Sequence, residues 1–196
     1  MSSPDPLAGI DDIDWSRLFH AYGRATDVTD QLRALRSADA DVRGRAHYQL
    51  RGNVYHQGTR WQGSYAVVPF LVALADNPST PARELVIDLI RLVAIGNLDE
   101  RDLPFNPEAA FAVANSITAE GTWEFALALC GDDDVPGWED LVERFPDVAE
   151  FAHIAWAREA YRAAQPEAGR FGAWAASADP AVAEAATKLS AWFPAA

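Results

Sequence analysis

The stretch over residues 64–74 constrains the fold more than any other, because it is apolar on almost every side. It reads SYAVVPFLVAL, and a helix that is apolar around its whole circumference has to be buried between other elements. Ahead of it, Asp39 or Asp41 can cap a helix over residues 42–56, and a glycine ends that helix two residues later. We therefore expect a helix pair over residues 39–76, on which the rest of the chain packs.

Helical spacing and turn residues predict further helices on both sides of this pair. They are expected over residues 15–22, 27–37, 80–95, 107–118 and 122–130. No stretch alternates apolar and polar residues between turn signals, so we expect essentially no sheet. The predicted fold class is all-α, with one helical domain over residues 13–196. Residues 1–12 are rich in Ser, Pro, Asp and Gly and are expected to form a flexible N-terminal arm.

The net charge of the chain limits which classes of binding partner are expected. The chain has 29 acidic and 16 basic residues, a net charge of −13, which attracts basic partners and repels phosphate backbones and anionic lipids. Arginines concentrate over residues 33–60, but Lys188 is the only lysine, so the basic surface of a nucleic-acid-binding domain is lacking. The N-terminus has no basic, apolar leader and the chain has no long apolar span, so we expect a cytoplasmic protein without a membrane partner. The charge is also explained by solubility alone.

Metal-binding and nucleophilic motifs are not apparent. The single cysteine, Cys130, excludes an intramolecular disulfide and sits in an apolar run typical of a buried residue. His47 and His56 are nine residues apart, which places them on opposite faces of one helix at 100° per residue. The acidic run over residues 131–137 does not have the spacing of a calcium loop. We expect no metal site and no cofactor.

Two regularities suggest repeated helical units. Trp138, Trp156, Trp174 and Trp192 are each 18 residues apart, as expected if one bulky residue per helix lies at the same layer of a stack. Residues 37–42, SADADV, also match residues 177–182, SADPAV. In both copies an aspartate is placed to cap a helix, a valine follows in the first turn, and an alanine follows one turn later.

These strings resemble the HEAT-repeat family. Its first helix opens with an Asp-Pro-x-x-Val-Arg-like string, here residues 39–43, and its second carries a Val-Pro-x-Leu-like string, here residues 68–71. Pro69 removes one backbone donor and should kink its helix. The resemblance implies an α-solenoid, a right-handed superhelix of antiparallel helix pairs, with a concave face suited to binding. It does not imply catalysis.

Polar and aromatic residues are densest over residues 47–65. Gln49, Asn53 and Gln57 are four residues apart and form a ladder of amides beside the apolar row of the first helix. Buried amides need partners, which are either a ligand or the irregular loop that follows. The candidate ligand-binding or partner-binding residues are Gln49, Asn53, Tyr55, His56, Gln57, Arg60, Trp61 and Tyr65.

The leading hypothesis is a non-enzymatic HEAT-like scaffold that binds a protein or peptide, possibly a basic one, through its concave face. An adaptor, regulatory or immunity-type protein would have this form. The alternative is an enzyme or small-molecule-binding protein that uses the 47–65 cluster, with lyase-like or glycosylase-like chemistry. We assign no catalytic residue under the first hypothesis, and His56 is the best acid/base candidate under the second.

Overall fold

The computed structural model describes residues 5–130 and 137–193, and helices dominate them, which confirms the all-α class. The α-helices are α1 Val28–Ala34, α2 Ala40–Val54, α3 Gln62–Asp76, α4 Arg83–Ala94, α5 Pro107–Ala110, α6 Ala119–Cys130, α7 Trp138–Arg144, α8 Pro146–Ala164, α9 Ala168–Ala175 and α10 Pro180–Ser190. Short 3₁₀ turns span Ile10–Asp12, Trp15–Arg17, Ala25–Asp27, Glu100–Asp102, Ala112–Ala114 and Gln165–Glu167. Residues 131–136, which hold most of the acidic run considered for calcium, lie outside the described residues.

The prediction of a helix over residues 15–22 is wrong, whereas that of essentially no sheet holds for the described residues apart from one short hairpin. Strands β1 (Phe19–His20) and β2 (Gly23–Arg24) form an antiparallel hairpin. Its two-residue turn is held by tertiary contacts, because the Ala21 N–H donates to the Asn53 carbonyl oxygen at 3.1 Å. The positive φ of Gly23, 126°, permits the chain to turn there. These contacts outweigh the local apolar periodicity.

The sequence predicts a flexible arm over residues 1–12, but residues 5–12 pack against the domain. The side chains of Leu7 and Ile10 are buried in the main core, and Arg33 of α1 donates to both carboxylate oxygens of Asp11 at 2.6 and 2.7 Å. A composition rich in turn residues predicted mobility, but two apolar side chains in the segment were sufficient to fix it to the domain.

Helix α3 forms the centre of the structure, as its composition predicted. Val67, Val68, Leu71 and Leu74 are fully buried, and α3 packs mainly against α4 and α8. Pro69 lies on the exposed side of the helix. Helix α2 was expected to pair with α3. It packs mainly on α1 instead and meets α3 at few positions.

The C-terminal helix α10 packs back against an earlier part of the chain. Helix α10 packs against α9, which precedes it, and equally against α4, which lies far away in sequence. Helix α8 likewise covers both α3 and α4. These long-range contacts place the pairs α3–α4 and α9–α10 side by side, with the segment from α5 to α8 leaving and rejoining the core between them.

The repeated cap is present in both predicted copies. Asp39 Oδ1 accepts the N–H groups of Asp41 and Val42 at 2.8 and 3.2 Å. Asp179 Oδ1 accepts the N–H groups two and three residues later at 3.0 and 3.4 Å. In each copy the serine two residues before the cap accepts the aspartate N–H at 3.2 Å. The same local string therefore folds in the same way twice.

The tryptophan spacing does not produce one stacked layer. Trp138 is 57% exposed, whereas Trp156, Trp174 and Trp192 are buried. Trp156 belongs to a smaller core cluster with Phe125, and the other two belong to the main core. Among the described residues, no helix is both long enough and apolar enough to span a membrane.

Candidate functional site

An open cavity of about 780 Å³ lies between the β1–β2 hairpin, α2 and the loop that follows α2. We call it the polar groove. Its lining residues are His20, Tyr22, Arg24, Asp27, Gln31, Tyr48, Gln49, Arg51, Gly52, Asn53, Tyr55, His56, Gln57, Gly58 and Asn97. Side chains from four separate segments of the chain therefore converge on this groove.

The floor of the polar groove is a network of hydrogen bonds in which the buried side chains of His20, Gln31 and Asn53 surround Asp27, whose own side chain is 52% exposed. His20 Nδ1 accepts the Tyr22 N–H at 3.0 Å, so the proton is on Nε2, which donates to Asp27 Oδ1 at 2.9 Å. Asp27 Oδ2 accepts from Gln31 Nε2 at 2.7 Å and from Asn53 Nδ2 at 3.0 Å. Asn53 Nδ2 also donates to Gln31 Oε1 at 3.1 Å. Each member orients the next, so the floor is rigid.

Aromatic side chains form the rim of the polar groove. Tyr22 and Tyr48 are 66% and 77% exposed. The Tyr22 hydroxyl lies 3.1 Å from His56 Nδ1, and the two rings meet edge to face with centroids 5.1 Å apart. The Tyr55 hydroxyl donates to Asn97 Oδ1 at the far end of the groove. The rim therefore combines large apolar surfaces with hydroxyl and imidazole groups.

The structure divides the predicted site residues into two groups. Gln49, Asn53, Tyr55, His56 and Gln57 line the polar groove. Within the predicted ladder of amides, Asn53 is buried in the floor, whereas Gln49 and Gln57 are exposed. That these five residues bind a ligand or partner stays a prediction.

Arg60, Trp61 and Tyr65 lie outside the polar groove. Arg60 and Trp61 line a second cavity. Tyr65 is half-buried on α3 against the hydrophobic clusters, where burial, and then the charge of Glu159, raise the pKa of its hydroxyl. The sequence cluster over residues 47–65 is therefore not one site.

The guanidinium of Arg60 is held by backbone carbonyls. Its Nε donates to the Val93 oxygen at 3.1 Å and its Nη1 to the Gly58 oxygen at 3.0 Å. Burial lowers the pKa of Arg60. Gly96 makes room for the group, because a Cβ atom there would lie 2.5 Å from Nη2 of Arg60. Within the described parts of the chain, no carboxylate forms an ion pair with this arginine.

The second cavity has a volume of about 230 Å³, and three tryptophans and a phenylalanine are among the residues that line it. We call it the tryptophan pocket. Its lining residues are Thr59, Arg60, Trp61, Phe125, Leu129, Trp138, Ala149, Ala152, His153 and Trp156. The rings of Trp61 and Trp156 are stacked, with centroids 5.0 Å apart and planes 21° from parallel.

A third cavity, of about 1020 Å³, lies between α4, α10 and the loop after α4. We call it the α4–α10 cavity. Asn97 lines both this cavity and the polar groove. The two spaces therefore adjoin at that residue.

Ten of the fifteen described residues that line the polar groove are not among the candidate site residues of the sequence analysis. His20, Tyr22, Asp27 and Gln31 were placed on two predicted helices, and Asn97 in a loop. The seven-residue spacing of His20 and Asp27 has no meaning until the hairpin places both over Asn53 of α2. Gly23 was the one local signal, since it is compatible with a hairpin as well as with a helix end.

Metal binding gains no support from the described residues, in which no three His, Cys, Asp or Glu side chains are placed to hold an ion. Cys130 is half-buried at the end of α6, and burial raises the pKa of its thiol. Comparisons with protein-family models, with curated proteins and with solved structures found no match to this chain.

Proposed function

We propose that this chain is a non-enzymatic binding protein that recognises a protein or peptide segment in the polar groove. An adaptor, a regulatory protein or an immunity-type protein would act in this way. The observation that carries the proposal is the pairing of two strongly exposed tyrosines with a fixed polar floor. Tyrosine is enriched where proteins bind one another, because it offers a large contact area at low conformational entropy.

The fixed floor favours binding because little has to be ordered when a partner arrives. Asp27 receives three hydrogen bonds, from His20, Gln31 and Asn53. A site whose side chains are already held loses less entropy on binding than one that has to be assembled.

Exposed amides make a peptide backbone a suitable occupant. Gln49 and Gln57 lie at the edge of the groove, and a side-chain amide both donates and accepts hydrogen bonds, as a peptide group does. Beyond Asn97 the α4–α10 cavity continues the available space. A segment longer than the polar groove would therefore have room to continue past Asn97.

Charge would act at two distances. The net charge of −13 steers basic partners toward the protein as a whole. Arg51 is exposed at the groove and forms no ion pair with any described carboxylate, so it offers a local contact to an acidic or carbonyl group of the bound segment. The partner we propose is therefore basic overall and polar where it enters the groove.

The finer description of the fold belongs to this proposal. We propose a HEAT-like α-solenoid, built as a superhelix of helix pairs, in a cytoplasmic protein. The twin caps at Asp39 and Asp179 support it, as do the adjacent pairs α3–α4 and α9–α10.

The proposal is tested by selecting peptides from a random library on the immobilised protein and measuring their affinities by calorimetry. We expect peptides that bind the wild type and bind Tyr48→Ala at least about tenfold more weakly, as for a tyrosine that contributes strongly to an interface. Val113→Ala is the matched control, since Val113 is also exposed, at 50%, and lies outside the groove. Peptides that bind wild type and Tyr48→Ala equally would contradict the proposal.

A second candidate function rests on one contact. The Tyr22 hydroxyl and His56 Nδ1 are paired at 3.1 Å within the polar groove, and a phenol beside an imidazole can transfer protons in an enzyme. Native mass spectrometry of the purified protein separates the two functions. A small molecule that is retained by the wild type and lost from His56→Gln, with no peptide selected, would favour the enzyme or small-molecule-binding function.

A further inference from the structure

The tryptophan pocket has the size and walls of a site for one aromatic ring with a short substituent. An apolar cavity of about 150 Å³ is sufficient to hold benzene, and this pocket has about 230 Å³. Phe125 lies beside the stacked pair Trp61 and Trp156, with its centroid 6.4 Å from that of Trp156. Such walls favour a planar ring, which stacks on them or meets them edge to face.

A cation borders this aromatic space without an anionic partner among residues 5–130 and 137–193. Arg60 has five N–H groups, and two of them donate to the carbonyl oxygens of Gly58 and Val93. Its Nη2 makes no hydrogen bond with any described residue. A largely buried charge without a counter-charge is unfavourable, and an anion that reaches it gains a charge-assisted hydrogen bond.

Other hydrogen-bond donors at the pocket also lack acceptors. The indole N–H groups of Trp61 and Trp156 are buried and have no partner among residues 5–130 and 137–193. None of the described residues that line the pocket carries a carboxylate. Among the described lining residues Arg60 supplies a cation and no side chain supplies a carboxylate, so a ligand with an anionic group is complementary to the pocket.

The positive charge acts across the pocket. His153 lines it from α8, and burial, followed by the charge of Arg60, lowers the pKa of His153. A negatively charged group at this position would stabilise the guanidinium and favour the protonated form of His153.

We propose that the tryptophan pocket binds a small planar aromatic carboxylate, with its ring against Trp61 and Trp156 and its carboxylate on the guanidinium of Arg60. Trp138 lines the same pocket while being 57% exposed, so the pocket reaches the protein surface at this side chain. This site is separate from the polar groove, and the proposal does not rest on the function proposed for the groove.

The test compares two probes of nearly equal size and shape, phenylacetate and its neutral amide, phenylacetamide. Their dissociation constants are measured by calorimetry, with ligand-observed NMR for weak binding. We expect phenylacetate to bind at least about tenfold more tightly than the amide, since only the carboxylate forms a charge-assisted pair with Arg60.

Three variants assign the binding to this pocket. Arg60→Gln should remove the preference for the carboxylate, so that the two probes bind alike. Ala152→Leu should weaken both probes, because Ala152 lines the pocket and a larger side chain occupies its volume. Arg162→Gln is the matched control, since Arg162 is an exposed arginine of the same helix α8, and it should leave both affinities unchanged.

The proposal is overturned if the wild type binds the amide as tightly as the carboxylate, or binds neither at about 10 mM, near the weak end of measurable affinity. Retention of the full preference in Arg60→Gln would overturn it equally. If Arg60→Gln does not fold, the comparison of probes on the wild type and on Ala152→Leu decides, because neither requires a change at the guanidinium.

Discussion

The polar groove and the tryptophan pocket lie close together but satisfy their polar groups in opposite ways. In the groove, the buried side chains His20, Gln31 and Asn53 all have hydrogen-bond partners. In the pocket, two indole N–H groups and one side of a guanidinium have none among the described residues. The first arrangement satisfies its buried polar groups without a ligand, whereas the second leaves donors that no described residue satisfies.

The two sites also depend on different kinds of contact for stability. The groove floor is polar and is held by α1, α2 and the hairpin, whereas the pocket is held by aromatic packing between the start of α3, α6 and α8. Variants in the two regions should therefore differ in the size of their effect on stability as well as in its origin.

The largest expected effect comes from removing the central wall of the pocket. Trp156 is 3% exposed and contacts both Trp61 and Phe125, so Trp156→Ala should lower the free energy of unfolding by about 3–5 kcal/mol. Urea unfolding followed by circular dichroism measures it. A loss of less than about 1 kcal/mol would mean that the pocket is not a packed aromatic site.

A smaller effect is expected in the groove floor. Asn53→Ala removes the hydrogen bonds to Asp27 and Gln31 and should lower the free energy of unfolding by about 1.5–3 kcal/mol, since one of the lost bonds goes to a carboxylate. Gln49→Ala, an exposed amide of the same helix, is the control and should change it by less than about 0.5 kcal/mol. Equal effects of the two variants would show that the floor is not a stabilising network.

A substitution at Gly96 tests the packing around Arg60, which lies between the polar groove and the tryptophan pocket. An alanine there would have to adopt φ near 83° and would place its Cβ 2.5 Å from Nη2 of Arg60, so Gly96→Ala should destabilise the fold by about 1–2 kcal/mol. Gly172→Ala is the matched control, because Gly172 is helical and a Cβ there meets no atom within 4 Å. It should be neutral or stabilising. Thermal unfolding of both variants gives the comparison.

The smallest expected effect concerns protonation at the pocket. Burial and then the charge of Arg60 lower the pKa of His153, so its NMR titration should have a midpoint below the usual value of about 6.5. The unfolded chain then binds the proton more readily, and the contribution of His153 to stability decreases as the pH falls below about 6.5. His153→Gln should remove that part of the pH dependence.

In Arg60→Gln the NMR titration midpoint of His153 should rise. An unchanged midpoint would show that the guanidinium does not act across the pocket.

The sequence predicted local structure better than it predicted which segments meet. The caps at Asp39 and Asp179 and the burial of α3 follow from short strings whose energetics are local. The hairpin at residues 19–24 could not be predicted in this way, because its backbone is satisfied by Asn53 of a later helix.

The same limit applied to the candidate sites. Gln49, Asn53 and His56 were identified because helical spacing places them near one another, and they do line the polar groove. Trp61 was assigned to the same cluster, but its neighbour in space is Trp156 of α8. Distances along the chain carry no information about such pairs, so the tryptophan pocket could not be predicted at all.

The position of Arg60 has a consequence for how the two sites would respond to each other. Its guanidinium lies 5.6 Å from the ring centroid of Tyr55 and donates to the Gly58 oxygen, and both of these residues line the polar groove. A ligand that drew the guanidinium toward the tryptophan pocket would withdraw it from that wall of the groove. Thermodynamic linkage then requires reciprocity, so an occupant of the groove would change the affinity of the pocket by the same factor.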